Sequence, residues 1–139
     1  YLRYNIQADK GSMFNTPPVF PIYMVGKVLK WMRDIGGIDV IERMANEKAA
    51  DLYQSIDNSE GFYRCPVEED SRSVMNVVFR LPSEDLEKIF ISEASEAGLL
   101  NLKGHRSVGG IRASIYNAMP AGGVRALTDF MAAFKSSQS

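Results

Sequence analysis
The chain has 139 residues, 45% hydrophobic and 24% charged, enough for one ordinary domain with its own core. Its 16 Lys and Arg against 17 Asp and Glu leave a formal charge of -1, which argues against a general nucleic-acid binder, whose domain carries a basic face and a high pI. Cys65 is the single cysteine, so no intrachain disulfide can form and no cysteine-based metal site is expected; no apolar run is long enough to span a bilayer. A soluble cytoplasmic protein is the expectation. The chain opens on Tyr1 rather than methionine, which reads as a fragment or a processed product.

Residues 1–13 are mixed and contain Gly11-Ser12, so a loop or short strand is expected. Asn15-Thr16-Pro17-Pro18 reads as a helix start, with capping side chains followed by prolines. Over residues 19–35 the apolar positions cover much of the helical circumference, as in a helix covered on more than one side, here by another chain or a further domain. Gly36-Gly37 ends it. A second helix over residues 38–55 places Ile38, Ile41, Ala45, Ala49 and Leu52 in one stripe. Residues 57–61 form a turn, 62–65 a short strand stopped by Pro66, and 68–73 a solvated acidic loop without calcium-loop spacing.

Residues 74–81 form the clearest strand, with Met75, Val77, Phe79 and Leu81 on one face and Asn76 and Arg80 on the other. Ser83 caps a third helix that has acids in its first turn and Leu86, Ile89, Phe90, Ala94 and Ala97 inward. Short strands follow at 99–102 and 111–116, and Pro120 opens a last helix with Val124, Leu127, Phe130, Met131 and Phe134 inward. The polar residues 135–139 are expected to fray. This order predicts an α+β fold: a two-layer domain with a largely antiparallel sheet and helices packed on one face.

Chemistry concentrates between Ala97 and Thr128, a stretch with Lys103, His105, Arg106, Arg112 and Arg125 and no acid. His105 and Arg106 sit between Gly104 and Gly109-Gly110, and Arg112 follows on a strand, beside Ser114 and away from Ile111 and Ala113. Glycines let backbone approach a ligand closely, and Arg forks match carboxylate and phosphate oxygens. One reading is a solvated hairpin with an incidental arginine. The other is two anion subsites, His105-Arg106 and Arg112, suited to a ligand with two anionic ends. Asn15 and Thr16 read as structural caps or as donors to a phosphate at a helix start. Cys65 and Trp31 read as packing residues.

The strings at residues 11–18 (GSMFNTPP) and 103–118 (KGHRSVGGIRASIYNA) strongly resemble the phosphoserine aminotransferases, the pyridoxal-phosphate enzymes of serine biosynthesis within class V. The resemblance covers essentially the whole chain, including the strand at Met75-Asn76 and the helix at residues 127–131. It implies the aspartate-aminotransferase-like fold (fold type I), with residues 1–35 ending the large domain and residues 36–139 forming the C-terminal small domain. In that family the cofactor-bearing lysine, the aromatic stacked on the cofactor ring and the aspartate paired with its nitrogen lie upstream of the matching segment. The resemblance therefore implies a C-terminal portion that binds substrate anions but is inactive alone.

It further implies that Asn15 and Thr16 reach the pyridoxal 5'-phosphate of the neighbouring subunit in a homodimer. His105 and Arg106 would hold the substrate phosphate or the side-chain carboxylate of glutamate, and Arg112 the α-carboxylate. The implied parent reaction moves an amino group from glutamate, leaving 2-oxoglutarate, to 3-phosphohydroxypyruvate, giving phosphoserine. Bacterial members also serve pyridoxine synthesis. Two other readings stay open: a non-enzymatic module sensing a phosphorylated metabolite, and a subunit-interaction piece built on the apolar helix.

Overall fold
The computed structural model describes residues 2–138. What is expected of Tyr1 and Ser139 lies outside them. The chain divides into two compact units, Tyr1–Ile38 and Asp39–Ser139.

The first unit carries α1 (Tyr4–Ala8) and α2 (Val19–Asp34). A loop or strand was the expectation for the start, and α1 is instead a helix. Five residues span little more than one turn, too short for a periodic signal to show. Helix α2 begins after Pro18, which is the N-cap and makes no side-chain cap hydrogen bond. The helix ends as expected, with the Gly37 amide donating to the Met32 carbonyl at 2.9 Å. None of its residues is buried.

The second unit contains α3 (Ile38–Asp57) from its second residue onward, β1 (Asn76–Phe79), α4 (Glu84–Glu96), β2 (Ile111–Ser114) and α5 (Ala121–Ser137). Helix α5 continues to Ser137, so the expected fraying begins no earlier than its last residue. The strands are shorter than the sequence pattern. Among the described residues β1 and β2 form a two-stranded antiparallel ribbon, with Asn76 opposite Ser114 and Phe79 opposite Ile111. The expected strand at 62–65 is a single bridge, Arg64 to Arg80, cut off by Pro66. The expected strand at 99–102 does not form, because Asn101 takes a left-handed φ of 63° and turns the chain; pairing resumes as one bridge from Lys103 to Ile111.

Alternation along the ribbon buries Val77, Phe79, Ile111 and Ala113 on one face. Ala49, Leu52 and Ile56 of α3, Phe90 and Ala94 of α4, and Val124, Leu127, Met131 and Phe134 of α5 belong to the same core cluster. Its aromatic rings meet edge to face: Tyr63 on Phe79 at 5.5 Å, Phe79 on Phe90 at 5.9 Å and Phe90 on Phe134 at 5.0 Å. Such pairs add roughly 0.5–1.5 kcal/mol each beyond their area. Helix α4 starts as its sequence reads, with Ser83 Oγ accepting the Leu86 amide proton at 3.2 Å. No helix among the described residues is long and apolar enough to cross a membrane.

Candidate functional site
With one ribbon face committed to the core, Asn76, Val78 and Arg80 share the other face of the β1 strand line, and Arg112 and Ser114 share it on β2. Ser114 Oγ donates to Asn76 Oδ1 at 3.2 Å, and Arg112 sits opposite Val78. Arg112 is half-buried, and its Nε is buried with no hydrogen-bond partner. Such an orphan donor is uncommon in a settled structure and fits a position awaiting an acceptor.

Ahead of β2 the chain doubles back. The Gly104 amide donates to Gly110 O at 2.8 Å, closing a hairpin around residues 105–109. Inside it His105 O accepts the amides of Val108 (2.9 Å) and Gly109 (2.8 Å). Two glycines are required here. A Cβ on Gly104 would lie 2.0 Å from Gly109 O, and one on Gly110, at φ +71°, would lie 2.5 Å from Arg80 Cδ.

His105 and Arg106 stand exposed on this turn. His105 Nδ1 lies 2.7 Å from Ser107 Oγ and accepts the Ser107 amide at 3.3 Å. With Nδ1 taken up by Ser107 inside the turn, Nε2 is the ring nitrogen that remains for a ligand.

The turn opens onto a cavity of about 350 Å³, lined on one side by Lys103, His105 and Arg106 and on the other by Arg80, Glu84 and Glu87. The structure thus brings together His105 and Arg106, both expected from sequence, and adds Lys103 and the Arg80–Glu87 pair. Arg112 is not among the lining residues. It lies on β2 two residues beyond Gly110, which does line the cavity, a step of about 7 Å along a strand. Asn15 and Thr16 belong to the first unit, in the irregular stretch before α2.

Arg80 is the residue that sequence reasoning missed. Its off-core position was legible from alternation, but its partner Glu87 comes from the next helix, and nothing in the spacing announces that bond.

The sequence matches the family described as aminotransferase class-V over residues 1–127. It is 61% identical over 131 residues to the phosphoserine aminotransferase of Laribacter hongkongensis (strain HLHK9), covering 94% of this chain and 36% of that protein. The solved phosphoserine aminotransferase of Bacillus circulans subsp. alkalophilus matches with a TM-score of 0.92 at 51% identity, over 99% of this chain and 38% of its own. A pyridoxal-phosphate-bound phosphoserine aminotransferase from Trichomonas vaginalis matches with a TM-score of 0.83 at 37% identity, over 93% of this chain and 37% of its own. The chain therefore spans little more than a third of the length of the relatives it matches.

Proposed function
The chain belongs to the class-V aminotransferase family, and from that premise we propose that it is the substrate-gripping portion of a phosphoserine aminotransferase. The whole protein would exchange an amino group between glutamate and 3-phosphohydroxypyruvate, serving serine biosynthesis as a cytoplasmic homodimer. Residues 1–35 would end its large domain, and residues 36–139 would form the two-layer small domain of the aspartate-aminotransferase-like fold. The core shared by the ribbon with α3, α4 and α5 supports that assignment. The exposed apolar surface of α2, including Phe20, Val28 and Leu29, supports assembly with a second copy.

The observation that carries the reading is the glycine-closed turn that presents His105 and Arg106 to one cavity. Arg106 offers a fork, and His105 its second ring nitrogen, to the phosphate of phosphoserine or to the side-chain carboxylate of glutamate. Arg112 takes the α-carboxylate. Its unpartnered buried Nε, one short strand step from the cavity, supports a ligand that bridges the two places. Held at both ends, the substrate has its reacting carbon oriented before chemistry begins.

Asn15 and Thr16 suit a cofactor phosphate: an amide and a hydroxyl are neutral donors, and the first turn of α2 carries no acid to oppose a negative charge. We assign them to the pyridoxal phosphate of the neighbouring subunit. When bound, that group supplies an electron sink for the carbon that loses its proton. No lysine of this chain lies in the sequence context of the family's cofactor lysine, so the residues described bind and orient, and none is assigned the bond-breaking step.

Arg106→Ala in the whole protein tests the reading. The KM for phosphoserine should rise at least about 100-fold, with a smaller loss in kcat. An unchanged KM for both phosphoserine and glutamate would remove the turn from the substrate site.

A further inference from the structure
Arg80 lines the cavity, but its guanidinium is already committed to acceptors of the protein. Its Nε donates to Glu87 Oε1 at 2.5 Å, and its second terminal nitrogen reaches Glu87 Oε2 at 3.4 Å. The remaining terminal nitrogen donates to Val108 O, inside the turn, at 3.3 Å. All three guanidinium nitrogens are therefore engaged. Gly110 presses on the Arg80 stem so closely that a methyl group there would overlap Cδ. The turn thus rests on this side chain.

Glu87 makes the support rigid. It is only 5% exposed, sits in the first turn of α4 and also accepts the Leu81 amide at 3.3 Å. Helix α4 is anchored in the core through Phe90 and Ala94. The turn itself has little other support. Its internal bonds fix its shape, and the hairpin closure fixes its base, but Arg80–Val108 is the one hydrogen bond among the described residues that ties residues 105–109 to a side chain outside the hairpin. Charge points the same way. A bare Glu87 carboxylate lining an anion cavity would repel the ligand, and pairing with Arg80 cancels that field at its source while leaving His105, Arg106 and Lys103 for the ligand.

We infer that Arg80, clamped by Glu87, is a positioning residue: it holds the His105–Arg106 turn at the height where the turn meets the substrate's distal anion. This rests on the proposed function and deepens it, since it says what sets affinity for phosphate and side-chain carboxylate without touching either.

The test uses the whole, cofactor-loaded protein and two variants. Arg80→Lys keeps the charge but cannot bond both Glu87 oxygens and Val108 O at once. Arg80→Met combined with Glu87→Gln removes both charges, so that no buried carboxylate is left unpaired. Both should raise the KM for phosphoserine and for glutamate about tenfold, with kcat held within about twofold and the thermal midpoint of the double variant close to wild type. A wild-type KM in the folded double variant overturns the inference, and so does a loss confined to kcat. Arg106→Ala, run beside them, separates the two levels. If it raises KM while the Arg80 variants do not, only the positioning role fails; if it too leaves KM unchanged, the substrate reading fails and this inference falls with it.

Discussion
Tyr63 shows how one residue ties packing to pH. Its ring is 3% exposed, stacked edge-on against Phe79 and Phe90, and its hydroxyl donates to Met131 O at 2.9 Å. Burial pushes the phenol well above its ordinary value. A raised folded pKa means that the stability is complete below the unfolded value of about 10 and is lost as pH climbs past it, because the unfolded phenol ionises while the buried one keeps its proton. Urea melts from about pH 8 to about pH 11 should show wild type losing up to about 1.4 kcal/mol per pH unit above pH 10 through this group. Tyr63→Phe should cost about 1 kcal/mol at neutral pH and lose that alkaline slope. Parallel slopes in the two proteins would refute the assignment. At this scale the basic turn was the most legible part of the sequence: glycines at 104, 109 and 110 mark a backbone that must fold tightly, and basic side chains beside them mark what it presents. Arg80 was illegible because its meaning lies in Glu87 and Val108, both of which reach it through space.

At the level of elements, Lys48 joins α3 to the turn that follows β2. Its ammonium, in a residue only 3% exposed, donates to Ile115 O at 3.1 Å, Tyr116 O at 2.7 Å and Met119 O at 2.9 Å. Burial lowers its pKa, and the three carbonyls stand in for the water it loses. Lys48→Met would strip the donor from three carbonyls and should destabilise the chain by about 3 kcal/mol in urea melts; a change below about 1 kcal/mol would mean that solvent replaces it freely. The helix stripes read well from sequence because a period of 3.6 needs only local residues. Even so, Lys48 occupies a core position between Ala45 and Ala49, where no pattern of apolar residues would place a charge, while Ile38 and Ile89, expected inward, are 71% and 45% exposed. Strand lengths were overread for a related reason. Alternation marks which way a side chain points, but pairing depends on a neighbour distant in the sequence, and among the described residues the flanking segments find isolated bridges at Arg64 and Lys103 and a bond from the Ile115 amide to Met75 O.

For the molecule as a whole, the unpaired surface of α2 is the dominant fact. Phe20 is 71% exposed, Leu29 59% and Trp31 39%. An apolar face of that kind favours association. The chain of residues 1–139 should therefore sediment as a dimer or larger species at about 100 µM and shift toward monomer when Phe20 and Leu29 are both replaced by Ser. A monomer at every concentration would count against it. The residues themselves determined the family, the α+β class, the longer helices and the glycine-flanked basic turn, since each of these is carried by neighbours along the chain. Tertiary structure alone decided the two-stranded extent of the ribbon, the burial of Lys48, and the Arg80–Glu87 clamp under the turn. Those depend on groups 7 to 71 positions apart meeting in space, and no local period encodes a contact of that kind.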